Sequence, residues 1–237
     1  MIKALLCWSG GKDSALCLHE VMTSGIYDVR YLLTTINSTV HRISMHGVRE
    51  ELLEQQADSL GLALIKMYVK EGSFDEYERE MESLLLKIKR EGIEHVIFGD
   101  IFLEDLRLYR ENNLQKVGMH AVFPLWKKDT TALLNSLLQW KFRTITCCVN
   151  SQYLDKSFVG VELDNEFIQR LPEGVDPCGE NGEYHTFCFD GPIFKKPINF
   201  TIGETIFKPQ NPDQAVGSHT EQPGFWYCDF IPGTAKK

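Results

Sequence analysis

Six consecutive residues near the N-terminus combine the features of an anion-binding loop: Ser9, Gly10, Gly11, Lys12, Asp13 and Ser14. Two glycines let the backbone turn tightly and approach a bulky anion, and the free amides at a helix start point towards it. The serine hydroxyls add donors, and the lysine adds a positive charge. The spacing matches neither GxxxxGK[ST] nor GxGxxG, so the pattern predicts a different kind of phosphate loop. The alternative is a tight turn followed by an ordinary helix cap.

Asp13 is unusual in such a loop because its carboxylate would repel an anion unless a cation is shared. We therefore assign Asp13 to contact with Mg²⁺, or to hydrogen bonds with the amides of the loop itself. A plain cap at the start of the helix is the alternative for this residue.

A second polar cluster lies at residues 176–186, with the sequence DPCGENGEYHT. Glu180 and Glu183 could bind ammonium, orient an amine or take its proton, and Gly182 allows a sharp change of backbone direction. The other candidate site residues of this cluster are Asn181, Tyr184, His185 and Thr186. The alternative is a polar hairpin loop in front of a strand at Thr186–Phe189.

The elements that must position these residues alternate between strands and helices along the first half of the chain. Apolar runs and helical spacing predict strands at 2–8, 31–36, 62–68 and 96–98, with helices at 14–22, 48–60 and 74–90. This alternation is typical of parallel strands joined by crossover helices. We therefore predict an α/β fold, a Rossmann-like parallel sheet with helices on both faces.

Ligands of open parallel sheets settle at the carboxyl ends of the strands. Gly99 and Asp100 follow the fourth predicted strand, and we assign them to the nucleotide, with Gly99 allowing close approach of a ring or ribose. Ile36, at the end of the second strand, is assigned to the nucleotide as well. His46 follows that strand and is assigned to the substrate, although the stretch could equally be a plain loop.

The pattern changes in the second half of the chain. Asp129 is predicted to cap a helix that runs to about Trp140, after which glycine, proline and aromatic residues become more frequent. Strands are predicted at 186–189 and 198–202, and the tail at 233–237 is expected to fray. We predict a smaller α+β C-terminal domain, with one domain at 1–127 and the other at 128–237.

Composition excludes several classes of protein. The 237 residues are 43% apolar and 24% charged, which is typical of a folded globular chain. The net charge of −8 disfavours a broad nucleic-acid-binding face. There is no apolar run of about 18 residues, and the N-terminus turns polar at Ser9, so we expect no membrane helix and a cytoplasmic location. The seven cysteines form no CxxC pair, which disfavours a disulfide framework or a zinc site.

The sequence SGGKDS at residues 9–14 resembles the pyrophosphate loop of the N-type ATP pyrophosphatases, which cleave ATP between its α and β phosphates. The resemblance implies that ATP and Mg²⁺ are used. It also implies that the loop holds the β and γ phosphates, which leave together as pyrophosphate. Lys12 and Asp13 would then be catalytic, because stabilisation of the leaving group is the main task of the loop.

Together with this loop, residues 179–186 resemble the signature of the diphthine–ammonia ligases and their bacterial relatives, whose corresponding segment is similar to GEGGEYET. Asn181 and His185 depart from that form and look more like the bacterial branch, for which the resemblance leaves open an acceptor carboxylate other than diphthine. Supporting matches are Phe98–Ile101 and Pro124–Trp126. The remaining positions fall on the signature: Gly179, Glu180, Gly182, Glu183, Tyr184 and Thr186.

The second resemblance implies a reaction. In that family, ATP adenylates a carboxylate on a modified histidine of a translation elongation factor, and ammonia then displaces AMP to give an amide. Glu180 and Glu183 would handle the ammonium as catalytic residues, and Tyr184 and Thr186 would position the acyl group. The other residues assigned to the substrate are Asn181, Gly182, His185 and His46. The sequence leaves the formation of a homodimer open.

Two other functions are compatible with the phosphate loop. One is a tRNA-thiolating or lysidine-forming enzyme, which the negative net charge and the absence of a CxxC pair disfavour. The other is a module that binds ATP or AMP without turnover. Production of AMP and pyrophosphate would separate that module from an enzyme.

Overall fold

The computed structural model describes residues 1–70, 72–210 and 223–233. Five parallel strands form the sheet of the first half, in the spatial order β4, β2, β1, β5, β6, and a short strand, β3, pairs antiparallel with the end of β2. Their bounds are β1 Ile2–Cys7, β2 Tyr27–Asn37, β3 Arg42–Ile43, β4 Ala63–Val69, β5 His95–Ile97 and β6 His120–Val122.

Helices cover both faces of this sheet, and they are α1 Lys12–Ser24, α2 Glu50–Leu60, α3 Phe74–Arg90, α4 Glu104–Lys116 and α5 Thr130–Gln139. Alternate residues of β1 point to opposite faces. Ala4 and Leu6 join the core formed with α1, α2 and α5, whereas Leu5 joins the core formed with α3 and α4. Burial on both faces explains why the strands read as continuous apolar runs. The predicted α/β class with helices on both faces is confirmed.

The second half forms a smaller antiparallel sheet in the order β8, β7, β10, β9. The elements that follow α5 are β7 Arg143–Asn150, a 3₁₀ turn Lys156–Phe158, α6 Asn165–Arg170, β8 Tyr184–Asp190, β9 Phe200–Pro209 and β10 Gly224–Pro232. One apolar core contains residues from both halves, including Leu16 of α1 and Phe187 of β8. The boundary proposed near residue 128 falls between β6 and α5, and the division into two domains stays a prediction.

The predicted elements lie close to those of the structure. Helix α3 has the predicted bounds, and Asp129 caps α5 by accepting a hydrogen bond from the amide of Ala132 at 2.7 Å. Helix α1 begins at Lys12, two residues before the prediction, because the phosphate loop leads directly into its first turn. The frayed tail predicted at 233–237 lies, from residue 234 onward, outside the described residues.

All seven cysteines are free thiols, and six of them are buried. Burial raises the pKa of the Cys7 thiol and that of the Cys148 thiol to about 12, so neither is a thiolate at neutral pH. Within the described ranges, no helix is both long enough and apolar enough to cross a membrane.

Candidate active site

The two glycines of the phosphate loop are required by close packing from distant elements. Gly10 has φ +77°, and a Cβ there would lie 2.8 Å from the Oε1 atom of Gln56. A Cβ on Gly11 would lie 2.9 Å from the carbonyl oxygen of Thr186. Any larger residue would push the loop away from α2 and β8, so the loop conformation depends on both glycines.

The loop is hydrogen-bonded to β8, the strand that carries the end of the second motif. The amide of Lys12 donates to the Oγ1 atom of Thr186 at 3.0 Å, and the amide of Cys188 donates to the carbonyl oxygen of Gly10 at 2.8 Å. The Ser14 hydroxyl donates to the Gly11 carbonyl at 2.9 Å, so this hydroxyl holds the loop from within. The two motifs, distant in the sequence, therefore form one site.

Lys12 and Asp13 form an ion pair at the start of α1. The Nζ atom of Lys12 lies 2.9 Å from Oδ2 of Asp13 and 5.0 Å from the ring centre of Tyr184, and Lys12 is only 2% exposed. Burial works against the charge of Lys12, but the neighbouring groups, with the carboxylate of Asp13 foremost, together raise the pKa of the ammonium. Burial also raises the pKa of Asp13, an effect that Lys12 opposes. Lys12 is therefore a fixed positive charge at the loop.

Glu180 has the properties of an acid or base that works near neutral pH. Its Oε1 atom accepts hydrogen bonds from the amides of Ile101 at 2.7 Å and Phe102 at 3.4 Å, which fix the carboxylate on the turn after β5. Burial, and then the charge of Asp13, raise the pKa of Glu180 to about 7. A pKa near the working pH suits transfer of a proton in either direction.

Glu183 lies behind the motif and does not line the cavity described below. It is 1% exposed, and its Oε1 atom accepts hydrogen bonds from the amide of Asp176 at 3.0 Å and the side-chain amide of Asn181 at 3.1 Å. Its Oε2 atom is inaccessible and has no hydrogen-bond partner in the described part of the chain. One oxygen therefore holds the loop at 176–183, and the other is free for a buried donor.

Two histidines pack against each other beside the loop. The rings of His46 and His185 lie 4.7 Å apart, and Nδ1 of His46 donates to the carbonyl oxygen of Thr186 at 3.0 Å. Burial lowers the pKa of His46 to about 4, and burial followed by the proximity of His46 lowers that of His185 well below its usual range. Both imidazoles are neutral at physiological pH and add no charge to the site.

A cavity of about 530 Å³ brings most of the predicted site residues together. Those that line it are Ser9, Lys12, Asp13, Ser14, His46, Gly99, Asp100, Glu180, Asn181, Gly182, Tyr184, His185 and Thr186. A larger depression of about 720 Å³ at the start of α3 is lined by residues 72–76, 79 and 80, which belong to a single stretch of chain. The cavity of 530 Å³ joins the two motifs.

One nucleotide assignment, that of Ile36, needs a correction, and Gly99 has a further structural role. Ile36 is fully buried in the core, and Thr34 and Thr35 of the same strand line the cavity in its place. Gly99 lines the cavity, but close approach of a ring or ribose is not needed to explain why this residue is a glycine. A Cβ at this position would lie 3.1 Å from the backbone of Asp13. The glycine lets the turn after β5 pack against the start of α1.

Sequence reasoning missed several residues of the site. Arg110 of α4 pairs with Asp100, with Nε 2.6 Å from Oδ2, and its guanidinium lies 4.4 Å from the ring centre of Phe98. The only signal for Arg110 in the sequence is a basic residue on the helix after Gly99 and Asp100. Gln56, fully buried on α2, contacts the loop and carries no sequence signal of its own.

Three residues that line the cavity each carry a buried polar atom with an unused hydrogen-bonding capacity. Asp13 Oδ1, Thr34 Oγ1 and His185 Nε2 are inaccessible and have no hydrogen-bond partner among the described residues. No group of three or more side chains in the described ranges forms a metal cluster. Mg²⁺ is commonly held by one or two carboxylates together with substrate phosphates and water. The free oxygen of Asp13 fits that arrangement.

Comparison with known proteins gives consistent matches. The family profile described as "Diphthamide synthase N-terminal domain" matches residues 2–121, and "Diphthamide synthase C-terminal domain" matches residues 129–212. Proteins named diphthine--ammonia ligase are similar to this chain. The protein from Danio rerio is 27% identical over 88% of this chain and 90% of its own, and that from Rattus norvegicus is 31% identical over 84% and 82%.

The human protein of the same name is 26% identical, again over 84% of this chain and 82% of its own length. A solved structure titled as a predicted subunit of tRNA methyltransferase from Methanocaldococcus jannaschii has a TM-score of 0.42 and 17% identity, and covers 84% of this chain and all of that one. The two family profiles match consecutive parts of the chain that together hold both motifs. The chain therefore belongs to the diphthamide synthase family.

Proposed function

We propose that the protein is an ATP-dependent ligase that adenylates a carboxylate, releases pyrophosphate and then forms an amide with ammonia, with diphthine on a translation elongation factor as the acceptor. One observation carries the proposal. Four residues of the phosphate loop and all of residues 179–186 except Glu183 line one cavity, and the Lys12 amide donates to Thr186. A site for pyrophosphate therefore adjoins acidic side chains suited to ammonia.

In the first step, an oxygen of the acceptor carboxylate attacks the α phosphorus of ATP, and the bond to the β phosphate breaks. The charge of Lys12, the loop amides and the N-terminus of α1 stabilise the negative charge that gathers on pyrophosphate. Mg²⁺, held by Asp13 and the phosphates, would neutralise further charge on the triphosphate when bound. This step converts an unreactive carboxylate into a mixed anhydride with AMP.

In the second step, ammonia attacks the acyl carbon, and the bond from that carbon to the AMP oxygen breaks. Ammonium must first lose a proton. Glu180 has a pKa of about 7 and can accept that proton from ammonium while it lines the cavity. Glu183 would favour ammonium through its charge from behind the motif, without direct contact, because its Oε2 atom is inaccessible. Thr186 and Tyr184 border the space that the acyl group would occupy.

The other candidate functions have less support. A tRNA-modifying enzyme would bind a polyanion, and the net charge of −8 disfavours this. A nucleotide-binding module would not need a carboxylate whose pKa lies near neutrality beside the phosphate loop. The cytoplasmic location and the homodimer stay predictions.

The test is an assay with ATP, Mg²⁺, ammonium and a panel of carboxylate acceptors that includes a diphthine-bearing elongation factor. We expect acceptor-dependent formation of AMP and pyrophosphate together with an amide. If the acceptor carboxylate carries ¹⁸O, one labelled oxygen should appear in AMP. Formation of ADP and orthophosphate, or AMP without the label, would contradict the proposed chemistry.

A further inference from the structure

Gln56 uses both polar atoms of its side chain to join three separate parts of the molecule. Its Nε2 atom donates to the carbonyl oxygens of Gly10 at 2.9 Å and Cys188 at 2.5 Å. Its Oε1 atom accepts from the indole nitrogen of Trp8 at 2.8 Å. Gln56 is fully buried and does not line the cavity. The residue therefore acts on the phosphate loop from behind.

These contacts fix the direction of the peptide between Gly10 and Gly11. The Gly10 carbonyl accepts from Gln56 and also from the amide of Cys188 at 2.8 Å, so it points towards α2 and β8. In a planar trans peptide, the C=O and the following N–H point in opposite directions. The N–H of Gly11 therefore points away from α2, towards the hydroxyl of Ser9 at 3.3 Å, and Ser9 lines the cavity.

A peptide between two glycines is the easiest kind to rotate into the opposite orientation, because neither residue has a Cβ. Rotation here would turn the Gly10 carbonyl towards the cavity and the Gly11 N–H away from it. A bound phosphate would then meet an acceptor in place of a donor. The loop thus needs groups that hold this peptide, and the side chain of Gln56 does so together with the backbone amide of Cys188.

We propose that Gln56 is a positioning residue that keeps the Gly11 N–H directed at the pyrophosphate portion of ATP. The inference rests on the proposed function, because it assumes that the loop holds this portion. It also goes further, since Gln56 touches no substrate and lies in α2, outside both motifs. Its loss should affect ligands of the loop and spare a ligand that lacks the β and γ phosphates.

The test compares Gln56→Leu and Gln56→Glu with the wild type and with Gln55→Leu. Leucine removes the donor, whereas glutamate keeps an acceptor for Trp8 and places a carboxylate oxygen against the Gly10 carbonyl. Gln55, next on the same helix, takes no part in these hydrogen bonds and is the matched control. Calorimetry measures the binding of inorganic pyrophosphate with Mg²⁺ and, separately, of AMP.

We expect both Gln56 variants to bind pyrophosphate about tenfold or more weakly and AMP within about twofold of the wild type, with Gln55→Leu unchanged for both. Unchanged pyrophosphate binding in Gln56→Glu, or an equal loss for both ligands, would overturn the positioning role. If one variant fails to fold, the other decides. If the wild type binds AMP but not pyrophosphate, the proposed function itself is contradicted. If the wild type binds both ligands and the Gln56 variants bind pyrophosphate equally well, only the positioning role is contradicted.

Discussion

The hydroxyl of Thr186 accepts a hydrogen bond from the backbone N–H of Lys12 at 3.0 Å, across 174 positions of sequence. Gly11 stands at the N-cap of α1 and has no side chain to cap the helix. A residue of β8 therefore supplies a cap that α1 lacks. The phosphate loop is complete only when the C-terminal sheet is packed against it.

Removal of this cap should weaken both the fold and ATP use. Thr186→Val keeps the shape of the side chain but removes the acceptor, and we expect a loss of about 1 kcal/mol in the free energy of unfolding and a higher KM for ATP. Thr186→Ser restores the hydroxyl and should recover both quantities. Denaturant unfolding and steady-state kinetics provide the measurements. Equal behaviour of the valine and serine variants would argue against the cap.

Lys12 should contribute to the release of pyrophosphate more than to binding of the adenosine portion. In Lys12→Met the charge near the leaving group is lost, and we expect AMP formation to fall about 100- to 1000-fold. Lys116→Met removes an exposed lysine of α4 and is the matched control. Initial rates of pyrophosphate release, with circular dichroism to confirm folding, would check the prediction. A rate within a few-fold of the control would exclude Lys12 from the leaving-group step.

The rate of amide formation should rise with pH through about 7, because Glu180 has a pKa of about 7 and must be ionised to accept a proton. Glu180→Gln should be slow at every pH and should lose this rise. The measurement is amide formation from a preformed acyl adenylate, at a fixed concentration of the ammonium ion. Retention of the same pH profile in the variant would assign the titration to another group.

The same group should make stability depend on pH. The pKa of Glu180 is raised from 4.5 to about 7 in the native state, so the native state binds more protons between these values. Its contribution is complete below pH 4.5 and is lost as pH rises to about 7. Relative to Glu180→Gln, the wild type should therefore lose about 1 to 3 kcal/mol of unfolding free energy over that range. A difference that does not vary with pH would contradict the raised pKa.

Glu183→Gln tests whether the carboxylate of Glu183 assists the use of ammonium. Glutamine keeps an oxygen for Asp176 and Asn181, so the loop should hold its shape, but the negative charge disappears. We expect ATP affinity within about twofold of the wild type and amide formation reduced about 100-fold. Titration with ammonium measures the second effect. Amide formation at the wild-type rate would show that Glu183 serves only to hold the loop.

Asp229 holds the segment that carries His46 against β10. Its Oδ2 atom lies 2.7 Å from Nη2 of Arg49, and its Oδ1 atom accepts from Arg42 at 2.8 Å. The hydrogen bonds from Arg49, followed by those from Arg42, lower the pKa of Asp229 from 3.8 to about 2.

Asp229→Asn should therefore lower the free energy of unfolding by about 1 kcal/mol at neutral pH, since the pair is partly exposed. The contribution is present above pH 3.8 and should be lost as pH falls to about 2. Chemical denaturation of both proteins across this range tests the prediction. An equal stability of wild type and variant at pH 7 would mean that these ion pairs contribute nothing.

Residues 9–14 could be recognised from the sequence because a glycine-rich turn between an apolar strand and an amphipathic helix is a local pattern. The same holds for the α/β class and for α3, whose apolar residues recur at helical spacing. The amphipathic pattern of α3 is set by residues three and four positions apart. Such features need no knowledge of distant contacts.

The contacts that complete the site arise only when elements distant in sequence pack together. Gln56 reaches Cys188 across 132 positions, and Glu180 reaches Ile101 across 79. The direction of each side chain could not be predicted from the sequence either. Ile36 enters the core and Glu183 lies behind its own loop, although the neighbours of both residues in the sequence line the cavity. The sequence by itself thus determined the order of the elements and the two motifs. The tertiary structure decided which side chains face the cavity, because burial and hydrogen-bond pairing are settled between elements.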